Sequence, residues 1–396
     1  MSSSSDKKPK MRQIDLKAAE QRIIIHPAGD LILRPYKKNN EFSFEGAGVG
    51  KNIIQGKIFA ELKVKKSVLI EHSTTFKMML TGGFKEANQS VVDLESEYLV
   101  GLEIWLRFLH GTMNEGRGKI RTADLFDVIE ASHFYFFKLE LLNDWFKSCF
   151  TYFMKNTKPE DIYELGMLVY PCRQFDYAEG FMAVTKKLVF ETAGHISIWN
   201  PHPHIRHLQI APRIVGGVNG ARVNLTHKLH DGLYIHLRFL VAGCKCRKEG
   251  LFAYEQALHA TKAWPLMTKT YGKGQLSVQS AIDLLEDFKY HPPVENCKLC
   301  SSNFKDVVHL ATETVLKDFQ GLCLDCIKKP ERKDVTQIHW DLGCRTRHKR
   351  STWWYSWLSS DQPVDTHEQA RDERRVNSRY VTPKAALVKV DTEKQS

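Results

Sequence analysis

Residues 62–111 read LKVKKSVLIEHSTTFKMMLTGGFKEANQSVVDLESEYLVGLEIWLRFLHG, and the change of period along this stretch decides the fold. Phe59, Leu62 and Val64 alternate as a half-buried strand does, and the alternation gives way to a helix-like cluster at Val68, Leu69 and Ile70. His72-Ser73 reads as a turn and N-cap, because a serine hydroxyl can accept from a free amide of the next first turn. Phe76, Met79 and Leu80 then recur at helical spacing, and Gly82-Gly83 is the expected C-terminal stop. Val91–Leu94 is a short strand. Leu99, Leu102, Leu106 and Leu109, spaced by threes and fours and closed by Gly111, predict an amphipathic helix.

Outward from this stretch the same signals continue. Ile23, Ile24 and Ile25 form one β-branched run and Leu31–Leu33 another, joined by turn residues Pro27 to Asp30. Asp124 caps a further helix, and LFDVIEASHFYFFKLELLNDWFKSCF supplies two helical stretches broken near Phe137 to Leu139 and ending near Phe150. Beyond Asn156 the pattern is mostly helical, with FKDVVHLATETVLKDF the clearest late example and no fixed internal repeat. The expectation is an α+β chain: a disordered lead over 1–20, a small sheet with helical hairpins over 21–150, a mainly α-helical domain over 151–330, and a disordered basic tail over 331–396.

At 396 residues the chain is too long for one ordinary core and suggests two domains. Its apolar runs fall short of the ~20 residues a membrane span needs, so no membrane partner is expected. The opening MSSSSDKKPK lacks the apolar stretch of a secretory signal, which points to an intracellular protein of cytoplasm or nucleus. The net charge of +11 gathers partly toward the end, in the runs 328–333, 345–350 and 372–379. Nine cysteines in a reducing compartment read as metal ligands or core packing and not as a disulfide framework.

Among the motifs, GAGVGKN (46–52) has the wrong spacing for a phosphate loop and Asn52 where a hydroxyl is needed, so it reads as a loop; VGGVNGAR (215–222) is as weak. The strongest chemical signal is Cys297-x-x-Cys300 followed by Cys323-x-x-Cys326, since two such pairs can complete a thiolate tetrahedron around zinc. The residues between them read as one helix from Asn303 to Phe319, roughly 25 Å long at 1.5 Å per residue, which would hold the pairs apart. Cys244 and Cys246, or a histidine such as His291 or His309, are therefore alternative partners, and plain buried thiols remain open beside structural zinc. No G-x-S-x-G elbow and no H-E-x-x-H pair occurs, and His133, His227 and His236 read as structural, so no enzymatic chemistry is expected. In the segment 343–357, Arg345, Arg347, Lys349 and Arg350 lie beside Trp353, Trp354 and Trp357. A flexible segment, a nuclear-import signal and, last in rank, a nucleic-acid contact all fit it.

The order strand, helix pair, strand, helix, with Val68, Leu69, Ser73, Phe76, Phe84, Glu86, Leu94 and Leu106 at matching places, resembles the BTB/POZ domain. Lys65 stands where that family usually has histidine, and residues 34–60 exceed its usual hairpin. HDGLYIHL (230–237) and GLCLDC (321–326) look like the helical C-terminal region of a large group of fungal BTB proteins. The resemblance implies homodimerisation and recruitment of other proteins. It puts Asp30 and Lys66 where the family places a charged pair near the dimer interface, with Leu31, Ile32 and Val64 as the neighbouring core. It also implies a second role, as substrate adaptor of a cullin-type ubiquitin ligase, because Phe84-Lys85-Glu86 resembles the hydrophobic-x-Glu motif of cullin-binding members. A nuclear regulator contacting nucleic acid through the basic tail is a third expectation.

Overall fold

In the computed structural model the described residues are 14–17, 21–38, 54–96, 98–113, 120–158, 161–202, 210–235, 237, 243–271, 274–294, 297, 298, 300, 303–328 and 344–346. The chain is mixed α+β. Its strands are β1 (Ile14–Lys17), β2 (Arg22–Ile24), β3 (Leu31–Lys38), β4 (Ile54–Ile58), β5 (Glu61–Val64) and β6 (Val91–Glu95), in one mixed sheet. β1 lies inside the segment expected to be disordered; it pairs in parallel with β4, and the pairing was hidden in a polar stretch. β3 is central. Its first residues pair antiparallel with β5 and its last with β4, while β6 runs parallel along its other edge. Pro35, which has no N–H to give, sits where β4 hands over to β5, and its carbonyl accepts from Phe59 N–H at 2.9 Å. Burial alternates along β5 and β6, so one face of the sheet carries Leu33, Leu62, Val64, Val92 and Leu94 into the core.

That face is covered by α1 (Lys66–His72), α2 (Thr74–Thr81), α3 (Leu99–Leu109) and α4 (Thr122–Tyr135). Ser73 caps α2 as expected: its Oγ accepts from Phe76 N–H at 3.0 Å and donates to the Tyr135 carbonyl at 2.6 Å, tying the start of α2 to the end of α4. α3 is not amphipathic but buried almost all round, Glu103 and Arg107 included; those two satisfy each other at 2.9 Å. Trp105 is fully buried and its Nε1–H donates to the Val128 carbonyl at 2.9 Å. The α3–α4 crossing is close because Gly101 has no side chain: a Cβ there would lie 2.0 Å from the Asp127 carbonyl oxygen. Asp124 is the third residue of α4 and reaches back to the Arg121 N–H at 2.9 Å, so it closes the helix start from inside.

The helices that follow among the described residues include α5 (Asn143–Asn156), α6 (Ile162–Met167), α7 (Val169–Gln174), α8 (Ala178–Glu191), α9 (Pro212–Tyr234), α10 (Arg247–Ala260), α11 (Leu266–Tyr271), α12 (Val278–Leu285), α13 (Phe304–Asp318) and α14 (Leu324–Lys328). The expected boundary at residue 150 falls inside α5, which continues to Asn156, and the core does not divide there. Phe126 stacks on Tyr170 and Phe146 on Phe175 at 4.2 Å between centroids. VGGVNGAR, a weak candidate for a phosphate site, lies within α9. α9 packs on α8 and α13, and α8 also meets α14.

Candidate metal centre

The structure gathers seven of the nine cysteines into two clusters and separates the two pairs that spacing had linked. Asn303 and Phe319 are the caps of α13, as the sequence predicts, so a rigid 15-residue helix stands between Cys300 and Cys323. At 1.5 Å per residue it spans about 22 Å. Cys297 and Cys300 therefore do not share a site with Cys323 and Cys326. Cys297 and Cys300 instead meet Cys244 and Cys246, the alternative partners, with all four sulfurs within 4.8 Å of one another.

This first cluster is built from two turns. Cys246 is the N-cap of α10, so its carbonyl accepts from Gly250 N–H at 2.9 Å, and Cys244 sits two residues ahead on the incoming chain. Across from them, Cys300 N–H points at Cys297 Sγ at 3.5 Å, and Tyr290 OH donates to the Cys300 carbonyl at 2.9 Å. Sulfur separations are 3.4 Å for Cys244–Cys300, 3.6 Å for Cys244–Cys246 and 3.3 Å for Cys246–Cys300. Cys300 is fully buried and the other three partly. Burial and the neighbouring sulfurs push the Cys300 thiol well up, and burial raises the Tyr290 hydroxyl to about 12. Such a packed group of thiols resists losing protons unless a cation arrives to take up the charge.

The second cluster is Cys323, Cys326 and Cys344, again within 4.8 Å. Cys344 was not singled out in the sequence, where it stands in a stretch of basic residues eighteen positions beyond Cys326. Cys323 is buried because Gly321, at φ +108°, lets the chain lie on α8; a Cβ there would come within 1.9 Å of the Met182 carbonyl oxygen. Next to it Leu322 N–H donates to Thr185 Oγ1 at 2.8 Å. Both clusters could hold a metal ion.

Arg345 has a different role from the one read in the sequence. Its guanidinium grips Asp325 at 2.6 Å and Asp176 at 2.8 Å, and its backbone N–H donates to Asp325 at 2.7 Å. Asp176, at φ +52° between α7 and α8, also offers its carbonyl to Arg345 at 2.9 Å. Hydrogen bonding to Arg345 holds both carboxyls below their ordinary range. Arg345 is thus an internal clasp and not a free phosphate contact, and 344–346 are ordered. Arg347, Lys349, Arg350 and the three tryptophans lie outside the described residues, as does GAGVGKN.

The remaining candidates are placed as follows. Asp30 and Lys66 do not form a charged side-chain pair: Asp30 Oδ1 accepts the Lys66 backbone N–H at 2.7 Å, starting α1, while Lys66 Nζ donates to the Ala87 carbonyl at 2.6 Å. Leu31 and Val64 are buried inside this chain, and Ile32 is half-buried. Phe84 is 61 % exposed, just ahead of a turn that carries the half-buried Glu86. His133 and His227 are exposed and neither joins a cysteine cluster; His236 lies outside the described residues. His291 and His309 likewise stay out of both clusters. Among the described residues no helix is long and apolar enough to cross a membrane. Comparison with family models, with curated proteins and with solved structures finds no match to this chain.

Proposed function

We propose that this chain is a protein–protein interaction module of the BTB/POZ kind, pairing with a second copy and recruiting other proteins, with a helical region held in shape by structural zinc. The observation that carries the interaction reading is a set of exposed large apolar side chains on and just after α2 and at the end of α4. Met78 and Phe84, each 61 % exposed, flank Gly82, and Phe134 and Phe136, 57 % and 66 % exposed, lie where α4 ends against the start of α2. Phe136 is the C-cap of α4, with a left-handed φ of +55°, and is exposed while the next residue, Phe137, is buried. Large apolar side chains left in water are a means by which another protein can dock.

Zinc is the ion the first cluster suits. Four thiolates at about 2.3 Å from one ion stand about 3.8 Å apart at the edges of a tetrahedron, and the separations among Cys244, Cys246 and Cys300, 3.3 to 3.6 Å, need to open by only a few tenths of an ångström, with Cys297 Sγ within 4.8 Å of them. With all four positions taken by sulfur the ion would have no open place for a substrate, so its part is structural.

The exposure of Phe84, with Glu86 two residues on, favours a cullin-type ligase adaptor as the second reading. Nucleic-acid binding loses the support of Arg345, whose guanidinium is held by Asp176 and Asp325. Light scattering of the full chain on a sizing column tests pairing: a dimer is expected at micromolar concentration, and a monomer throughout rejects it. Pull-down with a cullin separates the two recruitment readings, since only the adaptor loses its signal in Glu86→Lys.

A further inference from the structure

We propose that Cys323, Cys326 and Cys344 form a second, three-thiolate site for a zinc-class cation, which fastens the segment 344–346 to the corner between α7 and α8. The site is separate from the four-thiolate cluster and from the interaction surface, and it stands or falls without either.

Three features show a site prepared for an ion and not a chance meeting of thiols. The first is placement from both sides: Gly321 and the Leu322–Thr185 hydrogen bond set Cys323 on α8, and α14 carries Cys326 one turn later. From the other direction the Arg345 clasp brings Cys344 to within 3.6 Å of Cys326, sulfur to sulfur. The second is Thr346, only 3 % exposed, whose hydroxyl donates to Cys323 Sγ at 3.4 Å. A hydroxyl aimed at a sulfur stabilises the thiolate and fixes its orientation, the usual support behind a ligand. The third is charge. Arg345 and Lys328 are both paired with Asp176, and Arg345 also with Asp325, so the charges of these two cations are met by carboxylates. A divalent cation supplies the charge that three thiolates need. Asp325 is occupied by Arg345, so the fourth ligand comes from outside these three thiols and this carboxylate.

Binding is an exchange of protons for a metal: each thiol gives its proton to solvent as its sulfur bonds the ion, and no electron moves. The alternative fate of the pair at 3.6 Å is a disulfide between Cys326 and Cys344, which needs an oxidant.

The test is metal analysis of the full reduced chain after loading with zinc and gel filtration. About two equivalents are expected, falling to about one in Cys344→Ser and to about one in Cys300→Ser, each variant reporting its own site. A single equivalent that survives in Cys344→Ser and is lost in Cys300→Ser overturns the second site while sparing the first; the opposite pattern overturns only the first. X-ray absorption on the zinc-loaded wild-type chain covers the case in which a variant does not fold. It should read about 3.5 sulfur neighbours per zinc, the mean of a four- and a three-thiolate site, whereas a value of four with one equivalent bound rejects the proposal. Mass spectrometry of a Cys326–Cys344 disulfide in protein kept under reductant also rejects it.

Discussion

At the scale of single residues, His110 and Ser73 show how one side chain can hold two elements at once. His110 caps α3, with Nδ1–H donating to the Leu106 carbonyl at 2.7 Å, and its Nε2 accepts the Lys65 N–H at 3.0 Å at the start of α1. Accepting from Lys65 needs the neutral ring, whereas the bond to Leu106 is made by either form. Burial, before any other cause, lowers its pKa beneath the ordinary 6.5, with His26 nearby adding to the effect. A histidine whose folded pKa is depressed favours folding fully above 6.5 and loses that contribution as pH falls through the folded value. Denaturant unfolding measured from pH 7.5 down to 5 should therefore show stability declining below about 6.5, and His110→Ala should remove this part of the slope and cost about 1–2 kcal/mol at neutral pH. Ser73→Ala leaves the Phe76 amide and the Tyr135 carbonyl without their hydroxyl and should cost about 1–2 kcal/mol in the same measurement, with Ser73→Thr recovering most of it.

At the scale of elements, local pattern was legible and contact between distant elements was not. α2 with its serine cap, the strand at Val91, and α13 between Asn303 and Phe319 are written in adjacent residues, and each appears where the period placed it. The burial of α3 on nearly all sides was not legible, because Glu103 and Arg107 present as a solvated face and neutralise each other only once the helix is enclosed. β1 was missed for the related reason that its partner β4 lies forty residues on. The α3–α4 crossing makes a prediction of its own. Gly101→Ala puts a methyl group into the Asp127 carbonyl, so the helices must separate; a loss of about 3 kcal/mol is expected, with a lowered melting temperature and little change in helix content by circular dichroism.

For the whole molecule, the cysteines carry the same lesson. Cys297–Cys300 and Cys323–Cys326 look like one site when read along the chain, yet the helix between them keeps them apart, and each pair finds its partners far away, at Cys244–Cys246 and at Cys344. Seven thiols allow many groupings, and the choice is made by how α8, α9, α10 and α13 pack, which no spacing records. If the four-thiolate cluster holds zinc, stripping the metal with a strong chelator should lower the melting temperature of the full chain by several degrees, since the ion binds the folded state alone. Restoring zinc, and not magnesium, should recover it, because thiolates select the softer ion.

The clasp between Asp176 and Arg345 joins residues 169 positions apart. Contacts of such long range are slow to find and are made late, after the closing of a large loop. Bonds absent from the folding transition state act on the rate of opening and not on the rate of closing. The corner between α7 and α8 is therefore sealed last. Once sealed, it acts as a kinetic latch: Arg345→Ala should hasten unfolding while leaving the speed of refolding unchanged.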